Sequence, residues 1–127
     1  MDGERALPQR VRQLIGSAIP TVWALELLLF LKRNGEHVWS VDQLVRELRG
    51  SVLLVTENLI QLQRAGLVTA QGTDRYRYLP ATPALAGLVD ELEKYSAERP
   101  FAVRDAILAA PHSRIQLFAD AFRMKGE

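Results

Sequence analysis

The chain has 127 residues, 48% hydrophobic and 24% charged, which fits one globular domain with or without a helical appendage and excludes a largely disordered polymer. It contains no Cys, which excludes disulfides, thiol chemistry and Cys-bound zinc and suits a reducing cytosol. The formal net charge is only +1: residues 1–80 hold ten Lys/Arg against eight Asp/Glu (+2) and residues 81–127 hold six against seven (−1), so bulk charge neither demands a nucleic-acid partner nor forbids one.

The opening MDGERALPQR places acids before any apolar region and has no cleavage-site pattern, so it does not read as a secretory signal. Residues 7–18 set Val11, Leu14, Ile15 and Ala18 on one helical face. Pro20 opens a second helix, PTVWALELLLFLKRNG, which closes with Lys32 and Arg33 against its own dipole and then Asn34-Gly35. This helix is apolar almost all round, so it should be covered on more than one side. Its apolar run, Val22–Leu31, is interrupted by Glu26 and is shorter than the roughly 20 residues of a bilayer span, so we expect a cytoplasmic protein without membrane contact.

Glu36–Trp39 can form a very short strand. Ser40 and Gln43 then make a capping box for SVDQLVRELRG, whose buried stripe is Val41, Leu44, Val45 and Leu48. Gly50-Ser51 turns the chain, with Gly50 ending one helix and Ser51 capping the next. In SVLLVTENLIQLQRAGLV the spacing predicts Val52, Val55, Leu59 and Leu62 inward, and Gly66 ends the helix. Two β-forming stretches, Leu67–Gln71 and Arg75–Leu79, flank Gly72-Thr73-Asp74 as a hairpin, with Arg75 and Arg77 on one face and Tyr76 and Tyr78 on the other.

Thr82-Pro83 starts a long amphipathic helix with Leu85, Leu88, Val89, Leu92 and Tyr95 as its stripe and an Asp90–Lys94 pair on its wet side. Phe101–Ala110 predicts a further helix broken by Pro111. Ser113 and Gln116 form a second capping box for a last one carrying Ile115, Phe118, Ala119 and Phe122.

The order helix, short strand, helix, tight turn, helix, hairpin resembles a winged helix-turn-helix domain over roughly residues 20–80. It is similar to the MarR, ArsR and PadR families of bacterial transcription regulators. The residues that carry the likeness are Trp39-Ser40, Leu44 and Leu48, Val55-Thr56, Leu59–Leu62, Ala65-Gly66-Leu67-Val68, and Arg75-Tyr76-Arg77-Tyr78 as the wing. The expected fold class is therefore mainly α with a small β-hairpin: a winged helix-turn-helix (20–80) with an N-terminal helix (1–19) and a C-terminal helical extension (81–127). The resemblance implies duplex DNA binding by a homodimer, built through the two flanking segments, which carry more apolar stripe than a lone winged helix covers.

On that reading the helix 51–65 approaches the major groove, and the DNA-facing residues are Ser51, Thr56, Asn58, Gln61, Arg64, Arg75 and Arg77, with Arg46, Arg49 and Lys32-Arg33 as further backbone contacts. The helix is at odds with this in one respect: from Ser51 to Gln63 it has no Lys or Arg and carries Glu57. Leu53, Glu57, Ile60 and Arg64 fall on its far side. The alternative is a winged helix turned protein-interaction module, with Leu53, Leu54 and Ile60 as an apolar contact.

An enzyme is not expected. His37 and His112 have no partner at metal spacing, no Gly-rich phosphate loop follows a strand, and Ser40, Ser51 and Ser113 read as N-caps. Trp23 and Trp39 read as core and hairpin-base residues in preference to walls of a small-molecule site. No cofactor and no metal is expected.

Overall fold

A computed structural model of the chain describes residues 7–110. Among the described residues lie six helices and three short strands: α1 (Gln9–Ala18), α2 (Val22–Arg33), β1 (Trp39–Ser40), α3 (Val41–Leu48), α4 (Val52–Arg64), β2 (Val68–Ala70), β3 (Arg75–Tyr78), α5 (Pro83–Glu98) and α6 (Pro100–Ala109). The class is mainly helical with one small antiparallel sheet. The expected last helix, with Ser113, Gln116, Ile115, Phe118, Ala119 and Phe122, lies outside the described residues, as does His112.

The chain divides into two compact units. Trp23–Asp90 forms one, and the described residues before and after it form the other.

In the Trp23–Asp90 unit, α2 buries Ala24, Leu25, Leu27, Leu28, Leu29 and Leu31. At about 100° per residue these cover roughly 200° of its circumference, which is why almost no polar residue is tolerated along it. Lys32 at its end meets Asp90 at 3.2 Å. That is a long-range ion pair, where the spacing had suggested a local Asp90–Lys94 one.

The capping box at α3 forms as the sequence requires: Ser40 Oγ accepts from Gln43 N–H, and Gln43 Oε1 accepts from Ser40 N–H. Val41 and Leu44 are buried, while Val45 and Leu48 are only half-buried. The helix ends on Arg49 in the left-handed region (φ 57°), not on Gly50. Gly50 has a different role, clearance: a Cβ there would stand 2.8 Å from Trp23 Cζ2. The Trp23 indole N–H donates to Leu48 O at 3.3 Å, so the ring closes over the end of α3 and against the turn.

Ser51 caps α4, its Oγ accepting from Leu54 N–H. At the other end, Leu67 N–H donates to Leu62 O and Gly66 N–H to Gln63 O, with Gly66 at φ 81°. This crossed pair satisfies carbonyls the helix leaves open, and buried Leu62 and Leu67 accompany it. The Ala65-Gly66-Leu67-Val68 run is thus a helix stop that leads straight into β2.

The sheet has the order β1-β3-β2, both pairs antiparallel. Trp39 pairs with Tyr76, which also faces Ala70, and Tyr78 pairs with Val68. These share one face. Ser40, Arg75, Arg77 and Thr69 share the other, as strand alternation demands. Trp39 lies against Phe30 (ring centroids 4.9 Å) and His37 (4.2 Å), which anchors β1 beside the end of α2.

In the other unit, α1 buries Val11, Leu14, Ile15 and Ala18, α6 buries Val103 and Ile107, and the two helices pack together. Arg10 grips Glu91 through two hydrogen bonds, Nη2–Oε1 at 2.8 Å and Nε–Oε2 at 3.2 Å. The hydrogen bond and charge of Glu91 raise the Arg10 pKa further, but the pair is exposed and adds little stability.

Candidate nucleic-acid interface

Three parts of the Trp23–Asp90 unit assemble the candidate surface: the α3–α4 turn, the outward face of α4, and the hairpin β2–β3. The sheet reaches α4 through β2, which packs on it, so the hairpin and the helix are held in one body. The turn is fixed by the Ser51 cap and the Trp23 ring.

Side chains on α4 sort sharply. Val55, Asn58, Leu59 and Leu62 are buried. Leu53 is 67% exposed, and Ile60 is 38% exposed on the same side two turns on. Glu57 and Arg64 are exposed, Thr56 and Gln61 are half-exposed, and Ser51 is exposed but committed to its cap. Val52, expected inward, is 56% exposed. It fits the inward spacing, yet as the first residue of α4 it extends past the core that Val55 reaches. Leu54, expected in the apolar contact, is half-buried instead.

Asn58 was expected on a DNA-facing flank, but it is buried (4% exposed), with its Nδ2 donating to Leu54 O at 2.8 Å. It lies four residues before Leu62 and one before Leu59, within the buried stripe. Its polarity masked that position in the sequence. A buried amide is stable there because the helix's own carbonyl accepts from it.

The two hairpin arginines also separate. Arg75 is exposed at the start of β3, next to the Gln71–Asp74 loop, in which Gly72 takes φ 96°. Arg77 shares its face by register but is half-buried, with Nε enclosed and no hydrogen-bond partner for that nitrogen among the described residues. Both arginines belong to the middle strand, but Arg77 lies within it beside Thr69, whereas Arg75 is its first residue, next to the exposed loop. Arg46 on α3 and Arg49 just after it are both exposed.

Trp23, with its N–H on Leu48 O and its ring at Gly50, is occupied by the turn. Among the described residues no group of three His, Asp or Glu gathers as for a metal ion. No single helix among them is long and apolar enough to cross a membrane. No family model, curated protein or solved structure matches this chain.

Proposed function

We propose that the chain is a winged helix-turn-helix protein that binds duplex DNA as a transcriptional regulator, with α4 approaching the major groove and Arg75 holding phosphate. The observation that carries this reading is the topology of the Trp23–Asp90 unit. Strand β1, which precedes α3, pairs with β3, and the hairpin leaves α4 directly through the Gly66 stop. That arrangement exposes Leu53 and Ile60 on one side of a capped 13-residue helix and Arg75 at the loop end of the hairpin.

The test is fluorescence anisotropy on random-sequence duplex DNA across a salt series. Micromolar binding that falls steeply with salt is the expected result, since phosphate contacts release counterions. Arg75→Ala should weaken binding to all sequences alike and lower the salt slope by about 1. An unchanged slope removes the hairpin from the interface, and no binding at low salt removes the reading itself.

A second reading has its own observation. The leading end of α4 presents Val52 and Leu53, with Ile60 beyond them, where base-reading polar groups are expected. A protein-interaction module would use this apolar side. Leu53→Lys distinguishes the two. It should preserve or tighten DNA binding if the partner is DNA, because it adds a cation near phosphate. If the partner is a protein, co-purification should be lost while DNA binding stays absent.

A further inference from the structure

We propose that the outer face of α6 is a contact between two copies of this chain. Phe101 is 76% and Leu108 73% exposed, the most exposed large apolar side chains among the described residues. They stand seven residues apart on one side of α6, about 10 Å along the axis. Arg104 and Asp105, both exposed, lie between them on the same side. The opposite side carries Val103 and Ile107, buried in the contact with α1. A helix apolar on two opposite sides has a second surface to cover.

What selects a second copy as the occupant is the symmetry of the row. An antiparallel crossing about a two-fold axis between residues 104 and 105 sets residue n opposite residue 209 − n. Phe101 then meets Leu108 of the partner subunit, and Arg104 meets Asp105 of the partner subunit. Each contact occurs twice, as an isologous interface requires. Opposite charges coincide and apolar ends coincide, so the surface is complementary to itself. The other exposed apolar row fails this operation: on α4, Leu53 would meet Ile60, but Glu57 would meet Thr56, with no charge to match.

A contact made by one face of a ten-residue helix is smaller than the roughly 1,200–2,000 Å² of stable interfaces, so dimerisation should depend on concentration in the micromolar range. The proposal supplies the second copy that a dimeric regulator calls for, but it does not depend on DNA. Mass is measured without DNA, so either idea can fail alone.

The experiment is sedimentation equilibrium on the full chain from about 1 to about 300 µM, a span that brackets micromolar dissociation. The wild type should pass from one chain's mass toward two. Arg104→Asp and Asp105→Arg should each weaken association roughly tenfold, since each places like charges together twice. The double variant R104D/D105R should restore it. Circular dichroism checks that these exposed substitutions leave the helices intact. A wild-type monomer throughout the range overturns the proposal, for example with the 17 residues after Ala110 (127 − 110) covering the face in the same chain. So does a dimer indifferent to the single reversals, or one that the double exchange does not restore.

Discussion

Asn58→Asp is expected to destabilise the protein by about 3 kcal/mol or more at neutral pH, the cost of a carboxylate buried without a cation. The wild-type Nδ2 donates to Leu54 O at 2.8 Å from a position 4% exposed. The carboxylate would set an oxygen against that carbonyl oxygen, away from water. Burial raises a carboxyl pKa above its unfolded value of roughly 3.9. Below that pH the group is protonated in both states and can itself donate to Leu54 O, so little is lost. As pH rises above it, the unfolded chain releases its proton more readily than the folded one, and the penalty grows until the folded-state pKa is passed. Urea unfolding of the variant at several pH values between 3.5 and 8 measures this. A loss below about 0.5 kcal/mol at every pH would mean that Asn58 is at the surface after all. Asn58→Leu, which removes the amide without placing a charge, should change stability by less than about 1.5 kcal/mol.

Asn58 also marks where the sequence is legible and where it is not. Features set by near neighbours can be read directly. The Ser40–Gln43 box, the Ser51 cap and the helix stop at Gly66 each depend on groups within about five residues, and all form as residue type and spacing predict. The alternation that separates Arg75 and Arg77 from Tyr76 and Tyr78 is equally local. Features decided by distant parts of the chain are not legible in this way. Arg77 shares its strand and face with the exposed Arg75 and is still half-buried with Nε enclosed, a difference that strand alternation does not predict. Asp90 pairs with Lys32, fifty-eight positions away, not with the neighbour one turn on. Val52 obeys the inward period and is still exposed, because it stands beyond the core. The candidate surface therefore comes out more apolar than the sequence suggested: Asn58 leaves it, Arg77 recedes and Val52 joins Leu53 and Ile60. This is why the proposed DNA contact rests more on Arg75, at the loop end of the hairpin, than on the helix, and why the Leu53→Lys comparison is informative.

Gly50→Ala is expected to cost about 1–3 kcal/mol, the range for a methyl group forced into a filled space. Two features make the site unforgiving. The new Cβ would stand 2.8 Å from Trp23 Cζ2 and 3.3 Å from Val55 Cγ2, the first an aromatic ring that cannot fold aside and the second a buried β-branched side chain. The ring is also tethered, since its N–H donates to Leu48 O, so moving it gives up the contact that closes α3. Conformational preference alone predicts the reverse sign: Gly50 is not among the glycines with positive φ, and Gly→Ala at such a position usually adds about 0.4–1 kcal/mol by restricting the unfolded chain. A thermal melt decides between the two. A fall in Tm of several degrees fits the clash, whereas a rise would mean that Trp23 does not hold the turn. Trp23→Leu in the Gly50→Ala background supplies the control, because it removes the ring and should make the two substitutions cost less together than the sum of their separate effects. If the costs simply add, the ring and the turn are independent, and the geometry that sets α4 against α3 has some other origin.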